Sequence, residues 1–199
     1  MYKILYENIA QNLVENGYII IENALDKSLS NSLLLIAKEE NKYKKAAISQ
    51  TLNAHVDTTR RSDKTKWIDE DGTIQSEYLH IMDGLKDYLN RSLYLGLNYY
   101  ESHFALYDKG DFYERHFDAF KNSKNRVVTT VYYLNNVWSE QDGGELILHD
   151  NLANKKLIVL PKADTLVVFL SEKFPHEVLP AKKKRYSIAG WFRVDRAIF

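Results

Sequence analysis

Several features that define broad protein classes are missing from this sequence. There is no cysteine among the 199 residues, which excludes a disulfide framework, zinc sites built on thiolates and a cysteine nucleophile. No internal repeat, low-complexity tract or linker interrupts the chain. We therefore expect one domain over residues 1–199.

Excess charge of one sign and long apolar runs are also absent. Lys plus Arg and Asp plus Glu each number 27, so no general electrostatic attraction to nucleic acid or anionic membrane is expected. No uninterrupted apolar run reaches about 18 residues, and the first residues lack the apolar core of a signal peptide. These features predict a soluble cytoplasmic protein with neither membrane nor nucleic acid as a partner.

The first half of the chain predicts helices, because apolar residues recur there at intervals of three and four. A polar segment without a clear period, 46–72, separates the second and third helices and predicts irregular strands or a mobile lid. The predicted elements are a helix over 3–16, a strand over 18–21, a helix from a cap at Asp26 or Ser28 to 40–44, and a helix from a cap at Thr73 to just before Gly96.

From Tyr99 onward the sequence consists of short β-rich runs separated by turn signals, which is typical of antiparallel strands closing into a double-sheet roll. Helices followed by strands indicate an α+β fold in which the N-terminal helices buttress one sheet. We assign helical support and the lid to 1–98 and the jelly-roll core to 99–199. The predicted strands cover 103–107, 126–134, 145–149, 155–160, 165–170, 177–179 and 186–194.

One pair of residues in the strand-rich half suggests a metal site. His116 and Asp118 are two positions apart, so both side chains share one face if they lie on an extended strand. A barrel would bring the distant His176 round as a third ligand. Two histidines and one carboxylate with open positions form the facial arrangement of non-haem Fe(II) sites. The spacing alone leaves another interpretation open, in which these histidines only satisfy hydrogen bonds in a β core.

A second His-x-Asp sequence, His55-Val56-Asp57, shows that this spacing is not specific by itself. It lies in the polar segment 46–72, separated from the strand region by a long predicted helix. We therefore expect the copy at His116, and not this one, to bind the metal.

The last predicted strand has two chemically different faces. Counting by two places Tyr186, Ile188 and Phe192 on one face, which suits burial against helices. The other face carries a cation, two small residues and a tryptophan: Arg185, Ser187, Ala189 and Trp191. A buried arginine stays charged and holds a carboxylate with two parallel hydrogen bonds. This face predicts the floor of a site for a dicarboxylate that chelates iron at its other end, such as 2-oxoglutarate.

The joint motif resembles the prolyl 4-hydroxylase group of Fe(II)/2-oxoglutarate dioxygenases, and within it the oxygen-sensing prolyl hydroxylases and their bacterial relatives. The resemblance spans about 18–194 and implies a double-stranded β-helix, also called a jelly roll or cupin-like barrel. The matching segments are Tyr107-x-x-Gly110-x-x-Tyr113-x-x-His116-x-Asp118, Tyr132-Tyr133-Leu134-Asn135, Gly143-Gly144-Glu145-Leu146, Pro175-His176-Glu177-Val178 and Arg185-Tyr186-Ser187-Ile188, with Arg61-Ser62-Asp63-Lys64 and Trp67-Ile68 upstream.

The resemblance also implies roles for individual residues. His116, Asp118 and His176 match the iron ligands. The positions implied to bind or line the 2-oxoglutarate site are Arg185, Tyr107, Tyr133, Leu146, Trp191 and Thr129. Those implied to lie near the substrate are Arg126, Trp67 and Asp63.

The activity implied by the resemblance is hydroxylation of a prolyl residue at its 4-position, with release of succinate and CO2. The expected cofactors are Fe(II), 2-oxoglutarate and O2, with ascorbate as a further candidate. The expected partner is a protein or peptide that contains proline, for which a translation factor is a candidate. Two alternatives stay open: the same chemistry on a free amino acid or another small molecule, and a non-catalytic jelly roll that senses metal.

Overall fold

The computed structural model describes residues 2–46, 60–69, 72–119 and 125–194. It contains three α-helices, and the strands form two antiparallel sheets. The helices are α1 (Lys3–Glu15), α2 (Lys27–Ala37) and α3 (Thr73–Leu93). The strands are β1 (Tyr18–Glu22), β2 (Lys44–Lys45), β3 (Lys64–Trp67), β4 (Tyr99–Tyr107), β5 (Tyr113–His116), β6 (Arg126–Tyr133), β7 (Leu146–Asp150), β8 (Lys155–Val159), β9 (Thr165–Leu170), β10 (His176–Val178) and β11 (Arg185–Arg193).

The larger sheet has seven strands in the order β1-β9-β6-β11-β4-β3-β2. The smaller sheet has four strands in the order β5-β10-β7-β8. All of their pairings are antiparallel, as in a jelly roll. The predicted α+β fold, a jelly roll supported by N-terminal helices, is therefore confirmed.

The three helices cover the outer face of the larger sheet. In α3 the buried side chains are Tyr78, Ile81, Met82, Leu85 and Leu89, at the spacing of one helical face. They belong to an apolar cluster that also contains Tyr186, Ile188 and Phe192 of β11. This cluster, which we call the helix-side core, leaves the other face of the sheet for a second group of residues.

The second group lies between the two sheets and is smaller. It joins the inner faces of β4, β6 and β9 to strands of the smaller sheet, and we call it the site-side core. Its buried apolar members are Ala105, Tyr107, Val131, Tyr133, Leu146, Leu148, Val159, Val167, Phe169, Phe174 and Val178.

Some predicted helix boundaries were wrong. Helix α2 ends at Ala37 rather than at 40–44, because a separate 3-10 turn occupies Glu40–Lys42. The cap of α3 is Gly72, and Thr73 is its first helical residue. In α1 the buried residues are Ile9, Ala10 and Leu13.

The polar segment 46–72 is partly described. Its residues 60–69 include β3, which pairs with β2 and β4, so an ordered strand lies where the sequence predicted irregular strands or a mobile lid. The rest of the predicted lid, including His55-Val56-Asp57, falls outside the described residues. None of the described helices is long and apolar enough to span a membrane.

Candidate iron and 2-oxoglutarate site

Two neighbouring strands of the smaller sheet carry the two predicted histidine ligands. Strands β5 and β10 are antiparallel, and His116 lies directly opposite His176 in their register. Strand β5 ends at His116, and Asp118 lies in the bend that follows. The condition for a shared strand face is therefore not met, because the strand ends before Asp118. Its carboxylate reaches both histidines from the bend.

The three side chains converge closely enough to hold one metal ion. One ligand atom from each of His116, Asp118 and His176 lies within 4.8 Å of the others. Asp118 Oδ1 is 3.7 Å from His116 Nε2, and Asp118 Oδ2 is 3.5 Å from His176 Nε2. Two imidazoles and one carboxylate suit Fe(II) and leave coordination positions open.

Backbone carbonyls fix the orientation of both imidazole rings. Nδ1 of His116 is 2.7 Å from the Glu114 carbonyl oxygen, and Nδ1 of His176 is 3.1 Å from that of Phe174. A carbonyl only accepts, so each Nδ1 carries the proton and each Nε2 keeps a free lone pair. Contacts of this kind commonly orient metal-binding histidines.

The carboxylate of Asp118 is buried and held by a hydroxyl group. Thr129 Oγ1 donates to Asp118 Oδ2 at 2.8 Å and is also 2.8 Å from Ser171 Oγ. Burial alone would raise the pKa of Asp118, but the adjacent His176 and His116, with Arg126, hold it far below its ordinary range. The group is thus deprotonated, as a carboxylate ligand of a metal must be.

A stack of side chains supports His116 from behind. The Tyr113 ring is 3.6 Å from the His116 ring at an interplanar angle of 16°. The Arg61 guanidinium lies 4.3 Å from the Tyr113 ring centroid and donates to both Asp63 oxygens at 2.8 and 2.7 Å. The structure therefore places Asp63 in a buried ion pair behind the candidate metal site.

The predicted cosubstrate arginine is fully buried at the other end of the site. Arg185 is 1% exposed, and its guanidinium carbon lies 4.7 and 5.0 Å from the ring centroids of Tyr107 and Tyr133. Nε donates to the Gly144 carbonyl at 3.0 Å and Nη1 to Ser187 Oγ at 3.1 Å. Among the described residues no carboxylate lies within ion-pair distance of Arg185.

A glycine allows Arg185 to approach this closely. Gly144 has a φ of +72°, and a Cβ on it would lie 3.2 Å from Arg185 Cδ. Any other residue would be strained in this backbone conformation and would crowd the arginine. The Gly143-Gly144 pair in the sequence thus has a direct structural reason.

A buried hydroxyl group near Arg185 has no hydrogen-bond partner among the described residues. Tyr133 is fully buried, and its hydroxyl has no hydrogen-bond partner within the described ranges. Burial raises the pKa of Tyr133 to about 12 despite the Arg185 charge, so the phenol keeps its proton. Tyr107 and Leu146 pack in the same cluster. Arg185 and Tyr133 together offer donors that a bound carboxylate would accept.

The remaining predicted site residues lie nearer the metal ligands or the surface. Trp191 is opposite Thr129 in the sheet register, so both lie toward the metal end. Arg126 covers the Trp191 ring at 3.7 Å and pairs with Glu101 at 3.0 Å. Trp67 is 58% exposed. Roles for these residues in binding cosubstrate or substrate stay predictions.

Sequence patterns assign no role to several residues that the structure places around this region. Arg61 belongs to a matching segment that implies no function for it, and Ser171 belongs to no motif. His103 is buried beside Trp67 and Trp191. The only signal for it in the sequence is its inward position on β4, two residues from Ala105 and four from Tyr107.

Comparison with known proteins agrees with this geometry. The family model described as the 2OG-Fe(II) oxygenase superfamily matches residues 102–193. A Pseudomonas putida prolyl-4-hydroxylase is 35% identical, with a TM-score of 0.87 over 96% of this chain and 100% of that one. A Trichoplax adhaerens prolyl hydroxylase in complex with a hypoxia inducible factor peptide is 32% identical, with a TM-score of 0.84 over 96% of this chain and 89% of that one.

The Caenorhabditis elegans hypoxia-inducible factor prolyl hydroxylase is 27% identical over 96% of this chain. The match spans only 28% of that relative's length. Fe(II), 2-oxoglutarate and O2 are the cofactors that the family implies, and the His116, Asp118 and His176 cluster fits the metal. The chain belongs to the 2OG-Fe(II) oxygenase superfamily and, within it, to the prolyl hydroxylase group.

Proposed function

We propose that this chain is an Fe(II)- and 2-oxoglutarate-dependent dioxygenase that hydroxylates a prolyl residue of a protein at its 4-position. The observation that carries the proposal is the buried Arg185, which has no carboxylate partner among the described residues. Arg185 lies on the inner face of the barrel, as does the metal-ligand cluster. An unpaired buried charge is strongly unfavourable. A dicarboxylate that pairs with Arg185 at one end and chelates the metal at the other resolves this cost.

The donor groups of the site fit the cofactors. His116, Asp118 and His176 would hold iron through two neutral nitrogens and one anionic oxygen. Arg185 would hold the far carboxylate, assisted by the unpartnered Tyr133 hydroxyl. When bound, iron and 2-oxoglutarate would supply an oxidation by O2, in which one oxygen atom of O2 goes to succinate as 2-oxoglutarate loses CO2 and the other is inserted into the substrate C–H bond.

The protein itself contributes orientation and exclusion of water. The carbonyls of Glu114 and Phe174 hold the two imidazoles, while Thr129 holds Asp118. Apolar side chains of the site-side core, among them Leu146 and Val131, are buried between the two sheets. A rigid, dry site of this kind shields the oxidation from side reactions.

For the substrate, we favour a protein or peptide over a free amino acid. The Trichoplax adhaerens relative was solved with a peptide fragment bound. In this chain the rings of Trp67 and Trp191 both contact the His103 ring, and the Arg126 guanidinium lies over the Trp191 ring. A translation factor stays a candidate substrate, ascorbate a candidate activator, and the cytoplasm the predicted location. The proposal also treats residues 1–199 as one catalytic domain.

The proposal is tested by anaerobic titration of the protein with Fe(II) and 2-oxoglutarate, followed by exposure to oxygen in the presence of prolyl peptides. We expect binding of 2-oxoglutarate, release of succinate that depends on peptide, and a gain of one oxygen atom on proline. Failure to bind 2-oxoglutarate would contradict the proposal and leave a metal-binding jelly roll. Binding without any turnover would instead support the non-catalytic sensor.

A further inference from the structure

His103 is a buried histidine that the proposed chemistry does not use. It lies on β4, opposite Ala189 of β11 and Trp67 of β3. Because side chains alternate along a strand, His103 shares a face with Ala105 and Tyr107, which belong to the site-side core. Its imidazole therefore points into the space between the sheets and not toward the helices.

Two neutral hydrogen-bonding atoms lie unpaired at this position. His103 is 6% exposed, and its Nδ1 has no partner among the residues that the structure describes. The same holds for Nε1 of Trp191, whose ring centroid is 5.4 Å from that of His103. Burial, with the nearby charges of Arg61 and Arg126, lowers the pKa of His103 to about 3, so its imidazole is neutral near pH 7.

The charged groups around this pair are already matched to one another. Arg61 pairs with Asp63 at 2.7 Å. Glu101 takes both Arg126 at 3.0 Å and Arg193 at 2.8 Å. A free amino acid carries a carboxylate and an ammonium group, each of which needs a counter-charge when it leaves water. In the described part of this region, the groups left to bind a ligand are uncharged.

We propose that His103 and Trp191 hydrogen-bond the main chain of the substrate, so that the enzyme accepts proline inside a polypeptide and rejects the free amino acid. The inference rests on the proposed function and adds a determinant of substrate class to it. Trp191 Nε1 donates to a peptide carbonyl, and His103 Nδ1 accepts from an amide N–H or donates to a carbonyl according to its tautomer.

The surrounding aromatic side chains suit an extended peptide that contains proline. Trp67 packs edge-on against His103 at 5.3 Å and is 58% exposed, so an apolar surface leads from solvent to the unpaired nitrogen. Extended proline-rich segments dock on aromatic grooves because they lose little conformational entropy on binding. Main-chain hydrogen bonds inside such a groove would set the register of the target residue.

The test compares two substitutions at one position. His103→Phe keeps an aromatic ring and removes both nitrogens, whereas His103→Asn keeps a short polar group near the position of Nδ1. The protein is loaded with Mn(II) and 2-oxoglutarate. Its affinity is then measured by calorimetry for N-acetylated, C-amidated prolyl peptides and for free L-proline.

We expect His103→Phe to weaken peptide binding by about tenfold and His103→Asn to stay within about threefold of the original protein. Affinity for 2-oxoglutarate should be equal in all three proteins, which also shows that the variants are folded. Trp191→Phe provides a second measurement if His103→Phe does not fold, and should weaken peptide binding by about fivefold.

Two outcomes would overturn this inference alone: equal peptide affinity in the original protein and in His103→Phe or Trp191→Phe, or binding of free L-proline as tight as that of the blocked peptides. A different outcome concerns the proposed function. If the original protein binds 2-oxoglutarate but none of the prolyl peptides, prolyl hydroxylation is rejected, and the role of His103 is rejected with it.

Discussion

Strand β11 sends alternate side chains to the two sides of the larger sheet, and the two sides differ in chemistry. On the helix side, Tyr186, Ile188 and Phe192 join an apolar cluster. On the site side, the same strand carries Arg185 and Trp191. Alternate residues of one strand thus contribute to an apolar core on one side of the sheet and to the candidate site on the other side.

Polar groups on the two sides also differ in how they are satisfied. On the helix side, the Tyr132 hydroxyl donates to Asp164 at 2.8 Å, and the Tyr100 and Thr130 hydroxyls bond at 2.8 Å. On the site side, Tyr133 Oη and His103 Nδ1 have no partner within the described ranges. Buried polar groups are rarely left unpaired without a reason. The hydroxyls of Tyr132, Tyr100 and Thr130 are thus satisfied on the helix side, although Ser102 Oγ on that side has no partner among the described residues. The site side leaves buried polar groups for what it binds.

The largest effect is expected from removing the carboxylate among the metal ligands. Asp118→Ala leaves two imidazoles for the metal, so turnover measured as succinate release should fall by more than about a thousandfold. Asp83→Ala, on the exposed face of α3, is the matched control and should keep full turnover. Near-normal activity in Asp118→Ala would remove Asp118 from the site.

The next largest effect belongs to the helix side. Leu85 is 1% exposed, and Leu85→Ala should lower the free energy of unfolding by about 3 kcal/mol through lost burial and a new cavity. Denaturant unfolding measures this loss. The affinity of the folded variant for 2-oxoglutarate should not change, and a marked decrease would show that the two sides are not independent.

A smaller effect is expected where charge is kept but geometry changes. Arg185→Lys keeps a cation but loses the planar guanidinium that Gly144 and Ser187 orient. The 2-oxoglutarate concentration for half-maximal rate should rise by about 30-fold, equivalent to about 2 kcal/mol. Arg91→Lys, at the exposed end of α3, serves as the control. An unchanged requirement in Arg185→Lys would contradict the assigned carboxylate contact.

The smallest effect is expected from threonine-to-valine substitutions at two adjacent residues whose side chains lie on opposite sides of the sheet. Their comparison separates the roles of the two sides most directly. Thr129→Val removes the hydrogen bond to Asp118 and should weaken Mn(II) binding by about tenfold. Thr130→Val removes the bond to Tyr100 on the helix side and should cost about 1 kcal/mol of stability with metal affinity unchanged. Calorimetric titration and thermal unfolding of both variants check these results. The comparison between the two sides would fail if both variants lost metal affinity equally.

Features that repeat within a short stretch of sequence could be predicted. The alternation of residue types along β11 is enough to separate Arg185 from Tyr186, because side chains on a strand alternate with period two. The metal-ligand cluster was predicted from a short motif and one distant histidine. The resemblance to prolyl hydroxylases then supplied the sheet architecture.

Features that depend on distant contacts could not be predicted. Strand β3 has a polar sequence, yet Lys66 is buried, donates to the Ile36 carbonyl at 2.6 Å and lies over the Phe104 ring. Its apolar stem packs while its ammonium finds a partner, and only the fold reveals this. In α1, Ile4 and Val14 fit a helical stripe but are 80% and 67% exposed. The spacing of apolar residues in the sequence does not show how much of the apolar face of a helix the sheet covers.

The central place of β11 also bears on biosynthesis. This strand pairs with β4 on one edge and β6 on the other, yet every other strand of both sheets precedes it in the chain. During translation the nascent polypeptide therefore exposes two unpaired edges until Arg185–Arg193 emerges from the ribosome. A ribosome that stalled before that point would present a chain with neither a closed sheet nor Arg185, and such open edges invite aggregation.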